Sequence, residues 1–183
     1  MRLWQSMAIK ASKSNHPFAS RQQRSSVSTK KGLAARRSRP LLLLSIRPEF
    51  GQLILDGKKT VELRRIRPRV EAGQWAVIYL SSPRKALAGA FQICGIEEGK
   101  PSELWRRIGK QAGIGKSDFD RYFEGANTAF ALVVGKVVRI QPACSLESIR
   151  RIWPDFRPPQ LYRYLPCNHP LFSAQLGALA ALT

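Results

Sequence analysis

The sequence predicts an α+β fold, a small barrel of mixed strands with flanking helices, preceded by a disordered basic tail. Three observations lead there. Residues 1–40 hold ten Lys or Arg, many Ser and Gln, and no Asp or Glu; such a segment buries too little apolar surface to offset the entropy of ordering. From Leu41 the texture changes to short apolar runs punctuated by Gly and Pro. Strand-like runs then outnumber helical ones, and the 183 residues suffice for one domain, 41–183, with its own apolar core.

Leu42–Ile46, apolar but for Ser45, reads as a buried strand, and Pro48 opens a helix through EFGQLILD, whose Phe50, Leu53 and Ile54 recur at helical spacing. Gly57 ends that helix. Thr60–Arg65 alternates, predicting a half-buried strand with Val61 and Leu63 inward and Thr60, Glu62 and Arg64 outward. Further strands are expected at Gln74–Leu80, Ala86–Ile96 and Thr128–Ile140. Helices are expected at Ser102–Gln111, at Asp118–Glu124 capped by Ser117, and from Ser145 to Ile152, with a weak last helix in 171–183. No internal repeat is visible.

The formal net charge is +19, and residues 41–183 alone keep 21 basic against 12 acidic residues, still +9. A domain basic in its own right favours a polyanionic partner such as RNA, with DNA admitted as a further partner. No run approaches the roughly 18 apolar residues of a membrane span, so no membrane partner is expected. Cys94, Cys144 and Cys167 are odd in number, widely spaced and without a CxxC, which argues against both a disulfide framework and a zinc site. His169 beside Cys167 makes two potential ligands, too few for a metal, and no cofactor is expected. A reducing, cytoplasmic setting fits; the tail's composition equally suits an organelle transit peptide, a nucleic-acid-binding arm or an over-extended start.

The densest chemistry lies in GKKTVELR, Gly57–Arg64. Lys59 in the turn can hold a phosphate or carbonyl oxygen, and the Arg64 fork can take a phosphate or base edge. Glu62 can orient Arg64, accept from an exocyclic amine, or serve as a general base. Set against this is a plainer reading, a solvated strand edge carrying a local ion pair. Among aromatic residues Tyr79, sharing a strand face with Ser81, ranks above Tyr162, Tyr164, Trp75 and Trp153, and Trp105 is read as core. Arg106, Arg107 and Lys110 read as a solvated helix face.

The ordered set Gly57, Lys59, Thr60, Glu62, Arg64, followed by Tyr79, Ser81, Pro83 and Gly89, resembles the ASCH domain family over Leu41 to about Ile140, and the resemblance reaches PPQLYRYL, Pro158–Leu165. It implies a PUA-like barrel of five to six strands with a cleft beside the first helix for RNA or a modified nucleoside. Lys59, Thr60, Glu62, Arg64, Tyr79 and Ser81 are then the expected ligand-binding residues. Some members resemble amidohydrolases acting on N4-acetylcytidine, and others are similar to metal-dependent ribonucleases. In the amidohydrolases a threonine nucleophile stands where this chain has Glu62, and no acid precedes Asp118 in GKQAGIGKS. The resemblance therefore implies recognition first; if there is catalysis, it would fall to Lys59 and Glu62, and a transcriptional regulator, as in members that carry a helix-turn-helix, ranks last because residues 1–40 lack that apolar periodicity.

Overall fold

The computed structural model describes residues 39–166 and 168–171. Six strands, β1 (Leu41–Ile46), β2 (Val61–Arg64), β3 (Trp75–Leu80), β4 (Ala86–Gly99), β5 (Ala129–Ser145) and β6 (Tyr162–Leu165), form one sheet in the order β2-β5-β4-β3-β1-β6. Only β1 and β3 run parallel; the other pairs are antiparallel. The helices are α1 (Pro48–Leu55), α2 (Pro101–Ile108) with a 3-10 turn at Gly109–Gln111, α3 (Lys116–Phe123) and α4 (Leu146–Ile152). This is the expected mixed barrel, seen as a curled half-barrel. The curl follows from β4 and β5, 14 and 17 residues long, whose mutual register shifts three times; each irregularity bends the ladder and tightens its twist.

Side-chain alternation sorts the core. Leu42, Leu44, Ile46, Ala76, Ile78 and Phe91 form an inner cluster that Ile54 and Leu55 of α1 cap. Leu41, Leu43, Val77 and Tyr79 point the other way, into an outer cluster closed by Ile149 and Phe156. A strand buried on both faces explains why β1 reads as continuous leucine. A third cluster packs Val61 and Leu63 of β2 against Leu104, Ile108, Phe119 and Phe123 of α2 and α3. At Gly89 a Cβ would run into the Val138 carbonyl and Leu55, so its absence is what lets α1 lie this close to the sheet.

Three expectations are corrected. β2 is buried on both faces rather than half-buried, because α2 and α3 cover Val61 and Leu63 while Glu62 and Arg64 face the barrel interior. The helix expected at Asp118 with Ser117 as its cap begins two residues earlier, at Lys116, after an extended Gly115 with no side-chain cap. β4 and β5 run past their expected ends, since Glu97–Gly99 and Cys144–Ser145, which show no apolar alternation of their own, pair with the other strand. Ser145 does cap α4, its hydroxyl accepting from the Ser148 N–H at 3.1 Å. The tail, Cys167 and the final helix expected in 171–183 fall, Arg39, Pro40 and Leu171 apart, outside the described residues.

The sheet's two edges, β2 and β6, are joined by side chains rather than by a ladder. Arg64 donates to the Leu161 carbonyl at 3.1 Å, the Tyr162 hydroxyl to the Arg67 carbonyl at 3.3 Å, and the Arg69 N–H to the Tyr164 hydroxyl at 2.6 Å. Among the described residues no helix is long and apolar enough to cross a membrane.

Candidate functional site

Gly57, at φ +72°, closes α1 with paired bonds, its N–H to the Ile54 carbonyl at 3.0 Å and that of Lys58 to Leu53 at 2.9 Å. This tight reversal leaves Lys58 exposed and turns Lys59 inward, 2% exposed. The Lys59 stem lies against Gly113, whose φ of +65° brings its backbone close. Its ammonium donates to the Ala112 carbonyl and stands 5.6 Å from the centre of the Phe50 ring, an attractive cation–π placement. Thr60 ties the turn to the same segment, its N–H donating to the Gln111 carbonyl at 3.1 Å and its hydroxyl to the Gln111 side chain at 3.2 Å.

Two residues on, β2 carries Glu62 and Arg64 to the inner face, each 6% exposed. Glu62 Oε1 accepts from Arg64 Nη2 at 2.9 Å, and Glu62 Oε2 faces Lys59 Nζ at 3.8 Å. Arg64 Nη2 also approaches the Ser45 carbonyl at 3.4 Å. Arg64 Nε is buried and finds no acceptor among the described residues. An unmet buried donor costs on the order of 1–3 kcal/mol, and a ligand oxygen would remove that cost. The plainer sequence reading, a solvated edge pair, is thus corrected: lysine, glutamate and arginine form one buried row with two cations around one carboxylate.

Burial pulls the Lys59 pKa below its ordinary value of 10.5; Glu62 opposes the shift and Arg64 adds to it. Native Lys59 therefore sheds its proton at lower pH than unfolded Lys59. Between the two pKa values the unfolded state binds more protons, and stability rises with pH. We expect urea midpoints to climb as the pH is raised toward the ordinary lysine value of 10.5 and that climb to be lost in Lys59→Met. A wild-type midpoint that stays flat over the window would mean the ammonium is solvated.

The structure separates the remaining expected residues from this row. Tyr79 is 1% exposed in the outer cluster, its ring 5.8 Å from Phe156 at 61°, and its hydroxyl has no partner among the described residues. Ser81 is half-buried where β3 ends, its N–H donating to the Ile46 carbonyl at 2.9 Å. Trp75 is buried, Trp105 half-buried against Phe119, and Trp153 half-buried beneath Arg163. His169 Nδ1 accepts from the Leu171 N–H at 3.3 Å. Among the described residues no three His, Cys, Asp or Glu gather into a metal-binding group.

Sequence reasoning missed the carbonyls of Ala112, Ser45 and Leu161, since backbone acceptors carry no sequence signal. It also missed Tyr122. That residue stands beside the row, its hydroxyl donating to the Leu63 carbonyl at 3.4 Å, near enough for the charges of Arg64 and Glu62 to act on its phenol.

Comparisons with known proteins then bear on the family. A family model described as the ASCH domain matches residues 44–140. An ASCH domain-containing ribonuclease of Zymomonas mobilis is 33% identical over 123 residues, 67% of this chain and 82% of that protein. The crystal structure of ASCH from Zymomonas mobilis aligns with a TM-score of 0.69 at 30% identity, covering 76% of this chain and 96% of that one. A large ribosomal subunit protein of Ureaplasma parvum is 31% identical over 99 residues, which are 54% of this chain and 32% of that protein.

Proposed function

The chain belongs to the ASCH domain family, and from that premise we propose that it binds RNA, reading its ligand at the Lys59–Glu62–Arg64 row. The observation that carries this reading is the convergence of the three side chains inside the half-barrel, with the Arg64 Nε donor left unpaired. Arg64 Nε offers a hydrogen bond to a phosphate or base oxygen. Glu62 Oε2, too far from Lys59 Nζ for a direct hydrogen bond at 3.8 Å, remains available to the exocyclic amine of a cytosine-like base. The basic domain supplies sequence-independent attraction to phosphate. The name of the Zymomonas relative, a ribonuclease, also points to RNA.

The test is fluorescence anisotropy with labelled RNA at low salt. Lys59→Met and Arg64→Ala are each expected to weaken binding about tenfold or more, as loss of a charge-assisted contact does. Unchanged affinity in both would remove the row from the binding site.

A second reading is hydrolysis, favoured by the depressed pKa of Lys59 beside a carboxylate. A neutral Lys59 amine can take the proton of an attacking hydroxyl while Arg64 steadies the charge developing on the phosphoryl or acyl oxygen. Glu62 is the one carboxylate of the row and its Oε1 is already held by Arg64, so these side chains do not fit a divalent metal. Incubation with RNA, with and without divalent cations, and with N4-acetylcytidine separates this reading from binding alone; no turnover on either substrate leaves binding.

A further inference from the structure

Four large apolar side chains are exposed among the described residues: Ile66, Tyr122, Leu161 and Tyr164, between 38% and 50% exposed. All four gather at the seam between β2 and β6. Ile66 lies in the loop that follows β2. The Leu161 carbonyl takes Arg64, the Tyr164 hydroxyl takes the Arg69 N–H, and the Tyr122 carbonyl takes the Arg65 guanidinium at 2.6 Å. Tyr122 is further fixed by its hydroxyl bond to the Leu63 carbonyl and by Phe123, whose ring meets it edge-on at 4.7 Å. A tyrosine held so firmly while 40% exposed presents a rigid ring to solvent.

The same seam is basic. Arg65, Arg67 and Arg69 are all exposed along the loop after β2. Arg67 is paired with Glu98, but Arg65 spends its guanidinium on carbonyls and Arg69 makes no ion pair among the described residues. Aromatic faces interleaved with arginines suit unpaired bases and the phosphates between them, whereas duplex RNA hides its bases.

We propose that the seam is a single-strand platform, with a base stacked on Tyr122 at the mouth of the Lys59–Glu62–Arg64 row and the chain's phosphates running along Arg65–Arg69. This rests on the reading of the row as an RNA site and names the class of RNA, unpaired rather than duplex.

The experiment compares a labelled single strand of about ten nucleotides with its duplex, by anisotropy across a salt series, for the full chain and for Tyr122→Ala, Tyr122→Phe, Arg69→Ala and Lys59→Met. Single-strand affinity should exceed duplex affinity, fall about 5- to 100-fold in Tyr122→Ala and persist in Tyr122→Phe, which keeps the ring. Arg69→Ala should reduce the salt slope by about 1. If Lys59→Met weakens binding while Tyr122→Ala does not, or if duplex binds as tightly, the platform is overturned and the RNA reading survives. No RNA binding at all overturns both. Sedimentation of the free protein as a dimer that Leu161→Glu disperses would assign the seam to a second copy and overturn the platform as well.

Discussion

Glu62→Ala is expected to destabilise the protein by roughly 3–5 kcal/mol, the range for removing one partner from a buried ion pair. For a chain of this size that corresponds to a melting temperature lower by about 6–20 °C. The reason lies in the count of charges inside the half-barrel. Among the described residues Glu62 is the only carboxylate paired with Lys59 and Arg64, and all three are nearly inaccessible. Without it, two cations remain face to face, each having lost the opposite charge that offset its desolvation. Lys59 should respond by losing its proton at still lower pH. Glu62→Gln keeps an acceptor for Arg64 and should cost less than alanine. Thermal melts of the two variants at neutral pH provide the check, and a loss under about 1 kcal/mol for alanine would place the pair in the surface class.

Why this buried row looked like a surface strand is a question of what alternation encodes. The pattern Thr60-Val61-Glu62-Leu63-Arg64 reports two faces of different polarity, but not which face meets water. Here the apolar face went to α2 and α3, and Glu62 and Arg64 turned inward while Thr60 stayed exposed. The strands and helices themselves were legible because leucine and valine runs, Pro48, Gly57 and Ser145 act locally. The extra length of β4 and β5 was not, because it comes from their pairing with each other. Tyr79 misled for a related reason: alternation placed it on a shared face with Ser81, but the outer side of β3 is covered by Phe156, nearly eighty positions away. Tyr122 was passed over because DFDRYF reads as an ordinary amphipathic helix. Its importance arises only when Arg65 draws the end of α3 to the seam.

Phe156→Ala carries the other large expectation, a loss of about 3–5 kcal/mol as for other buried aromatic truncations, with a consequence for the site. Phe156 is fully buried, its ring 5.8 Å from Tyr79 and 5.1 Å from Trp153, and its carbonyl accepts from Arg150 Nε at 3.4 Å. It therefore pins the chain after α4 to the outer face of the sheet. Five residues later that same chain presents the Leu161 carbonyl to Arg64 and then pairs β6 with β1. Loosening the pin should free Leu161, cost Arg64 one of its acceptors and widen the seam. RNA affinity measured well below the melting temperature should then fall along with stability, although Phe156 lies on the far side of the sheet from the row. A Phe156→Ala protein that melts early yet binds RNA as the parent does would show that β6 braces the barrel without shaping the site. Leu at this position, which refills most of the volume, should restore both properties together if the pin and the site are mechanically one.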